Sequence, residues 1–526
     1  MRRKRMVLNL VLAALLAAVT LGLPHEATAT DWCSGGVCQE WVARYEANGS
    51  PRAIAVDQVG NVYVTGYSTG DGTNYDYATT KYDSDGNELW VARYEGGANY
   101  RDEAHGIAVD ASGNAYVTGF SYGSSTGYDY ATIKYRPDGS EQWTARYNGR
   151  GGGDRALALA LDTAGNVYVT GYSNSSEEPE GNYDYATIKY DSDGNELWVA
   201  RYDGPAGDDD FAYALAVDGL GNVYVTGGSP SSDTNYDYAT IKYDSGGNQQ
   251  WVARYDGPAG SMDDFAIRVL VDGSGSVYVL GASEGAGTDR DFMTIKYAPD
   301  GSEQWVARYN GPASGYDEPQ ALAMDASGNA YVAGSSRGSD TNGDYATIKY
   351  APDGSVQWVA RYDGNDWDDA HALTVDSSGN AFVTGSSHAS DTAPDYTTIK
   401  YDSNGNQVWL ASYDGPASGA DVARALVLDG AGNVYVTGSS TGDGTGWDYA
   451  TIKYVQTVPT PTPHPTPSGV GGAVNLPPAA IAAEASRAAD GPGSSTANGI
   501  VWAGAMAGVI LLLATGGWYA RRRYGR

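Results

Sequence analysis

The residues of this sequence that could do chemistry recur once in each of eight repeats, at two neighbouring positions. The first position is an aspartate in seven repeats: Asp102, Asp154, Asp210, Asp264, Asp317, Asp368 and Asp421. A ring of carboxylates at a channel mouth would attract a cation, and Ca²⁺ prefers oxygen ligands of this kind. Aspartates at strand ends also accept hydrogen bonds from backbone N–H groups. We favour this second role and keep the metal site as the alternative.

The second position lies three residues further along and changes from repeat to repeat. It reads Arg52, His105, Leu157, Tyr213, Ile267, Gln320, His371 and Arg424. Variation inside a uniform array is where a ligand site could be encoded. The candidate ligand-binding residues are therefore Arg52, His105, Tyr213, Gln320, His371 and Arg424. The arginines and histidines would form a cationic patch for a carboxylate or an anionic glycan. Neutral substitution at a position that tolerates many residue types explains the variation equally well.

Both positions belong to a repeat with three short motifs, whose successive copies lie 49 to 56 residues apart. Copies of Trp-Val-Ala-Arg-Tyr begin at Trp41, Trp90, Trp143, Trp198, Trp251, Trp305, Trp358 and Trp409. Copies of Val-Asp-x-x-Gly-Asn-x-Tyr-Val-Thr-Gly have their aspartate at 57, 110, 162, 218, 272, 325, 376 and 429. Copies of Asp-Tyr-Ala-Thr-Ile-Lys-Tyr begin at 76, 129, 184, 237, 291, 344, 395 and 448.

Each motif reads as a strand, because it is rich in β-branched and aromatic residues and is bounded by Gly, Asn, Asp or Pro. A fourth strand precedes each second motif, as in residues 104–109. Four short strands per repeat of this length predict an all-β fold, a β-propeller of eight four-stranded antiparallel blades. The chain begins with a lone Trp41 strand and ends without one after Tyr454. We therefore predict that the first strand completes the last blade and closes the ring.

The repeat resembles the bacterial β-propeller repeat known as the seven-bladed or SBBP repeat, as seen in residues 113–119 and 129–135. The resemblance covers about 80% of the chain and recurs in eight copies rather than seven. It implies a propeller fold and an exported setting, and it implies no defined activity. The turn that leads into each tryptophan is also similar to the tryptophan-docking motif of eight-bladed quinoprotein dehydrogenases. That similarity predicts packing of each tryptophan on the neighbouring blade, without a quinone cofactor.

Lysines and arginines also occupy fixed repeat positions, and we interpret them as cross-strand partners of the aspartate columns. The arginines are Arg44, Arg93, Arg146, Arg201, Arg254, Arg308 and Arg361. The lysines are Lys81, Lys134, Lys189, Lys242, Lys296, Lys349, Lys400 and Lys453.

The two ends of the chain predict export and membrane attachment. A basic start, an apolar stretch and Ala27-Thr28-Ala29 indicate a signal peptide over residues 1–29, with an uncleaved anchor as the alternative. The propeller is assigned to residues 31–455, and a disordered Pro/Thr/Gly/Ala-rich stalk to 456–498. Residues 499–519 are apolar enough for one transmembrane helix, and the basic tail 520–526 would stay in the cytoplasm. We therefore expect a single-pass protein of the cell membrane with an extracellular propeller.

Charge and cysteine content restrict the partners. Residues 31–455 hold 24 basic and 61 acidic residues, so their net charge is 24 − 61 = −37. Such a surface repels nucleic acid, and no nucleic-acid partner is expected. The two cysteines, Cys33 and Cys38, are expected to form a local disulfide in an exported protein. We expect a monomeric propeller with no organic cofactor, and we leave Ca²⁺ open.

No catalytic residues are assigned, because Gly-x-Ser-x-Gly, His-Glu-x-x-His and a Cys–His pair are absent from the sequence. The leading hypothesis is a surface-anchored binding, adhesion or scaffold module for an extracellular protein or glycan. The alternative is a carbohydrate-active hydrolase or lyase that uses carboxylates at the channel mouth. That alternative requires two or three acids that break the repeat and converge, and inspection of the repeat finds none.

Overall fold

The computed structural model describes residues 32–456 except 70–73, 98–99, 177–180, 232–234, 259–262, 286, 340–341, 365 and 389–392. The predicted signal peptide, the stalk beyond Gln456, the transmembrane helix and the basic tail lie outside these residues. Within the described part of the chain, no helix is long and apolar enough to cross a membrane.

The described residues form 33 β-strands. In chain order these are β1 (Trp32–Ser34), β2 (Val37–Tyr45), β3 (Gly49–Val56), β4 (Val62–Ser68), β5 (Asp76–Tyr82), β6 (Glu88–Tyr94), β7 (Glu103–Val109), β8 (Ala115–Gly123), β9 (Gly127–Tyr135), β10 (Glu141–Tyr147), β11 (Arg155–Leu161), β12 (Val167–Asn174), β13 (Tyr183–Tyr190), β14 (Glu196–Tyr202), β15 (Phe211–Val217), β16 (Val223–Pro230) and β17 (Tyr236–Tyr243). They continue with β18 (Gln249–Tyr255), β19 (Phe265–Val271), β20 (Val277–Gly285), β21 (Thr288–Tyr297), β22 (Glu303–Tyr309), β23 (Asp317–Met324), β24 (Ala330–Arg337), β25 (Gly343–Tyr350), β26 (Val356–Tyr362), β27 (Asp368–Val375), β28 (Ala381–Ser387), β29 (Asp395–Tyr401), β30 (Gln407–Tyr413), β31 (Asp421–Leu428), β32 (Val434–Gly442) and β33 (Gly446–Gln456).

These strands form eight antiparallel sheets, which are the eight predicted blades. Blade 1 is β3 to β6, and each following group of four strands forms the next blade up to blade 7, β27 to β30. Blade 8 consists of β31, β32, β33 and the early strand β2, with β1 added at its edge. The first strand of each blade contacts the first strands of both neighbouring blades, and β3 contacts β31. The ring is therefore closed, and the prediction of eight blades rather than seven is confirmed.

Ring closure depends on strand pairing between the two ends of the described chain. Trp41 of β2 is paired with Lys453 of β33, and Tyr45 is paired with Tyr449. A disulfide joins Cys33 and Cys38 across the β1–β2 hairpin at the outer edge of this blade.

Adjacent blades are joined by the repeated tryptophan and lysine of each sheet. Seven tryptophan Nε1–H groups donate to a carbonyl oxygen in the β-turn of the next blade at 3.0–3.2 Å, as Trp90 does to Pro137. The turn glycine allows this contact, because a Cβ on Gly139 would lie 2.7 Å from the Trp90 ring. The predicted packing of tryptophan on the neighbouring blade is confirmed.

Seven of the repeated lysines donate to the same turn carbonyl groups at 3.0–3.3 Å. The prediction that lysines pair with the aspartate columns was therefore wrong for most of them. The side chains are long enough to reach the next blade, and their Nζ also lies over a tyrosine ring, as Lys81 does over Tyr63 at 4.7 Å.

The arginine prediction holds for the third-motif aspartates. Seven arginines form ion pairs with the third-motif aspartate of their own sheet at 2.5–3.2 Å. Arg146 also donates to Ser121 Oγ at 2.8 Å and to the Tyr94 hydroxyl of the preceding blade at 2.9 Å. Each such arginine therefore stabilises one sheet and its contact with the previous one.

Candidate functional site

The variable position of the repeat is a β-bulge in all eight inner strands. In blade 1 the register moves from Pro51 opposite Gly66 to Ala53 opposite Thr65, so Arg52 has no partner residue across the ladder. The same shift occurs in the other seven inner strands. A bulge turns a side chain away from the regular pleat and often occurs beside functional sites.

We call these eight residues the bulge ring: Arg52, His105, Leu157, Tyr213, Ile267, Gln320, His371 and Arg424. Because the inner strands contact one another around the whole ring, their bulges surround the axis of the propeller. The bulge lies near the start of each inner strand. It therefore faces the same end of the propeller as the connections between blades.

A second variable column lies two residues before the bulge ring, and the sequence analysis missed it. It contains Ser50, Glu103, Arg155, Phe211, Phe265, Glu318, Asp369 and Val422. The signal was present in the sequence, because this column also changes its residue type from repeat to repeat while its neighbours do not. Together the two columns give the mouth of the channel three chemically different sectors.

The first sector is cationic and spans blades 7, 8, 1 and 2. Glu103 Oε2 lies 4.0 Å from Arg52 Nη2 and 3.7 Å from His105 Nε2, and Arg101 also pairs with Glu103. Burial, with a smaller contribution from the charge of Arg52, lowers the pKa of Arg424 to about 10. Two arginines from opposite ends of the sequence therefore face each other across the closure.

Both histidines of this sector are neutral at pH 7. Burial lowers the pKa of His371 to about 4, with a further contribution from Arg424 that Asp369 partly offsets. Burial, followed by the charges of Arg52 and two other arginines, holds the pKa of His105 well below its usual value. The positive charge of the predicted patch therefore comes from its arginines.

Four side chains of this sector have a buried polar atom without a hydrogen-bond partner in the described part of the chain. The atoms are Arg52 Nε, His105 Nε2, His371 Nδ1 and Arg424 Nε. A buried polar group that makes no hydrogen bond costs about 1–3 kcal/mol. One ligand or ordered water molecules at the mouth would satisfy these four groups, which lie in adjacent blades.

The second sector is aromatic and spans blades 3 to 5. The ring of Phe211 lies 4.9 Å from that of Tyr172 and 5.9 Å from that of Tyr236. Tyr236 in turn lies 4.8 Å from Phe265, which is 6.4 Å from Tyr213 of the bulge ring. These rings provide flat apolar surfaces, and Tyr213 is the only one of them that the sequence analysis selected.

The third sector is acidic, and its acids break the repeat, contrary to the expectation from the sequence. Glu318 and Asp369 occupy the second variable column in blades 6 and 7. The Glu318 side chain is exposed at the mouth, and partial desolvation followed by the charge of Asp369 raises its pKa. Ser335 Oγ donates to Asp369 Oδ1 at 2.6 Å. Gln320 lies between these two acids in the chain order of the ring.

The seven aspartates proposed as a metal-binding ring are buried at the joints between blades. Each accepts a hydrogen bond from a backbone glycine N–H at 2.5–2.9 Å. Five of them accept a second backbone N–H through Oδ1, as Asp102 does from Tyr122 at 2.8 Å. Burial is the main cause that raises the pKa of all seven, to about 7 for Asp210 and about 6 for Asp368.

Comparison with known proteins supports the repeat assignment. The model of the SBBP family, described as a beta-propeller repeat, matches residues 40–73, 90–128, 142–177, 200–233, 357–391 and 415–444. An uncharacterized WD repeat-containing protein of Acanthamoeba polyphaga mimivirus is 26% identical over 445 residues. That alignment covers 68% of this chain and 31% of the viral protein, so this chain spans about a third of that relative.

Solved structures show only distant similarity. A protein of unknown function from Dyadobacter fermentans has 10% identity, covers 80% of this chain and 99% of its own, and gives a TM-score of 0.39. A protein of unknown function from Bacteroides caccae has 13% identity, covers 54% of this chain and 92% of its own, and gives a TM-score of 0.31. Similarities of this size carry no argument about function.

Proposed function

We propose that this chain, which belongs to the SBBP beta-propeller repeat family, is a binding module whose ligand occupies the channel mouth above the bulge ring. The observation that carries the proposal is the set of four partnerless polar atoms on Arg52, His105, His371 and Arg424. A ligand that forms hydrogen bonds with these atoms would offset the desolvation free energy that they cost the unliganded protein.

The ligand class that fits the mouth best is a glycan that bears carboxylate groups. Arginine guanidinium groups bind carboxylates through charge-assisted hydrogen bonds, and Arg52 and Arg424 lie in adjacent blades. The aromatic sector on the opposite side of the ring, which includes Phe211 and Phe265, offers apolar faces for the sugar rings of a glycan that spans the mouth.

The acidic surface of the propeller does not oppose such a ligand at close range. Residues 31–455 carry a net charge of −37, but charges more than about 8 Å apart are largely screened at physiological salt. Contacts with the buried arginines are shorter and much less screened. Binding should therefore tolerate salt better than a purely surface-charge attraction would.

The proposed cellular setting is the outer side of a membrane. The basis is the sequence of the two ends, namely the export signal over 1–29 and the apolar segment 499–519 followed by arginines. In this setting the stalk would hold the propeller away from the bilayer, and an extracellular glycan would reach the channel mouth.

The proposal is tested by screening the purified full-length chain against immobilised glycans with and without uronic-acid carboxylates. We expect selective binding that is weakened at least tenfold by each of Arg52→Gln and Arg424→Gln, since a hydrogen bond to a charged group contributes about 1.5–3 kcal/mol. Arg136→Gln is the matched control, because Arg136 is exposed in a turn at the opposite end of the blades. Equal binding by all three variants, or no preference for carboxylate-bearing glycans, would refute it.

A second candidate function is a hydrolase or lyase that acts on the bound glycan. The adjacent acids Glu318 and Asp369 favour it, because a carboxyl group with a raised pKa can act as a general acid. If the mouth is catalytic, product should appear from the bound glycan, and Glu318→Gln should abolish turnover while binding remains.

A further inference from the structure

Three carboxylates converge where blade 3 meets blade 4. Asp184 lies in β13, Asp203 follows β14, and Asp210 precedes β15. One oxygen of each lies within 4.8 Å of the others, and the same arrangement occurs for Asp344, Asp363 and Asp368 between blades 6 and 7. We call these two groups the joint triads. Neither includes a residue of the bulge ring.

The joint triads lack a hydrogen bond that the other joints possess. In five blades Oδ1 of the inner-strand aspartate accepts an N–H from a residue at the end of the second strand. Pro230 occupies that place in blade 4 and has no N–H, so Asp210 Oδ1 has no partner among the described residues. Proline therefore removes one donor from a side chain that is 0% exposed.

The second joint triad loses the same hydrogen bond by a different route. His388 occupies the corresponding place in blade 7, and its N–H donates to the Trp367 carbonyl at 3.3 Å instead. Asp368 Oδ1 is then left without a partner within the described chain. Of the seven inner-strand aspartates in the described part of the chain, only Asp210 and Asp368 have an Oδ1 without a hydrogen-bond donor. Both belong to a joint triad.

A third acidic group, Asp395, Asp414 and Asp421, differs from the joint triads. The Thr441 N–H donates to Asp421 Oδ1 at 3.0 Å, so the inner aspartate is already satisfied. Proximity of carboxylates is therefore common to all three groups. The joint triads differ from the third group in having an inner aspartate with an unpartnered oxygen.

Charge balance favours a divalent ion at the first joint triad. Arg201 pairs with Asp184 at 3.2 Å, and Asp184 Oδ1 is also buried without a partner. Above the pKa of Asp210, which is about 7, the three ionised carboxylates and one guanidinium carry a net charge of −3 + 1 = −2. A buried uncompensated charge is costly, and a divalent cation would neutralise it.

The size and surroundings of the site match Ca²⁺. Because Ca–O distances are about 2.4 Å, oxygens up to about 4.8 Å apart can contact one ion. A cleft of about 410 Å³ is lined by Asp208 and Asp209, which directly precede Asp210 in the chain, and by Asn182, Pro230 and Tyr236. The cleft has room for water molecules and further oxygen ligands, and Ca²⁺ uses six to eight in total.

We propose that each joint triad binds one calcium ion, which links blade 3 to blade 4 and blade 6 to blade 7. This inference is independent of the glycan site, because it uses other residues at other joints. Calcium here would act on the cohesion of the ring by replacing the missing backbone donor with a cation.

Calorimetric titration of the chelator-treated full-length chain with CaCl₂ tests the proposal. We expect Asp203→Asn to lower the number of bound ions by one, and Asp203→Asn with Asp363→Asn to lower it by two. Both residues are exposed, so the fold should tolerate the changes. The matched control is Asp256→Asn, the equivalent position after β18, where the Glu284 N–H already satisfies Asp264.

The control should keep the wild-type number of ions. Calcium should also raise the melting temperature of the wild-type protein and raise it less for the double variant. Absence of calcium binding at pH 8 would overturn the proposal and indicate that a proton neutralises the triad instead. An equal loss of ions in Asp203→Asn and Asp256→Asn would overturn it as well, because the joint triads would then not be distinguished from an ordinary joint.

Discussion

Trp41 and Trp409 form a natural pair for measuring how one hydrogen bond contributes to cohesion between blades. Both head a first motif, and both are almost fully buried, with 2% and 3% exposure. Trp41 Nε1–H donates to the Ser84 carbonyl of blade 1 at 3.0 Å. Trp409 faces blade 8, whose outer strand is β2, so that blade has no turn from its third strand into its outer strand. The Nε1 of Trp409 is buried without a partner in the described residues.

The perturbation is Trp→Phe at each position. The smaller ring removes similar packing from both sites, so this cost should largely cancel between Trp41→Phe and Trp409→Phe. The first change also removes a hydrogen bond with a net contribution of about 1 kcal/mol. The second removes a buried N–H whose desolvation already costs about 1–3 kcal/mol. Trp41→Phe should therefore destabilise the protein by about 2–4 kcal/mol more than Trp409→Phe.

Urea unfolding followed by tryptophan fluorescence and circular dichroism would measure the difference from the two free energies of unfolding. The alanine variants at both positions serve as controls, because each should lose about 3–5 kcal/mol through the cavity alone. If the two phenylalanine variants lose equal free energy of unfolding, or Trp409→Phe loses more, the hydrogen bond of Trp41 does not distinguish the two sites and the reasoning is refuted.

Two further predictions concern acid and the disulfide. The folded pKa of His371, about 4, is below the usual value, so its neutral form contributes stability that is lost as pH falls from about 6.5 towards 4. At pH 5 this loss is about 2 kcal/mol, and His371→Gln should reduce the drop in urea midpoint between pH 7 and 5. A variant as acid-sensitive as the wild type would contradict the burial argument. Cys33→Ala with Cys38→Ala should lower stability by about 2 kcal/mol in urea unfolding, because the loop closed is short. An unchanged midpoint would show that the hairpin is not part of the cooperative fold.

Much of the architecture could be predicted because the repeat is regular. The lone Trp41 strand at one end of the propeller and the missing strand after Tyr454 at the other indicated closure, and the structure pairs Trp41 with Lys453. The tryptophan contact with the next blade was also predictable, since one turn glycine precedes each tryptophan. The partners of the lysines were not, because a long side chain can reach either its own sheet or the next blade.

The candidate site was predicted only in part. Arg52 and Arg424 were predicted from the variability of their column, but no local pattern marked that column as a β-bulge. Glu318 and Asp369 were not predicted, because they lie in the second variable column, where the residue type changes from repeat to repeat. The histidines were predicted to contribute charge to the cationic patch, but burial beside Arg424 lowers the pKa of His371 and keeps it neutral.

The sequence by itself determined the strands, the blade count and the closure of this protein, because these depend on local residue patterns that are copied eight times. Only the tertiary structure decided which variable residues meet and in what charge state. Arg52 and Arg424 become neighbours because the ring closes between them, and Asp210 loses a donor because Pro230 ends the strand beside it. Such effects depend on burial and on contacts between residues distant in the chain, which no local pattern encodes.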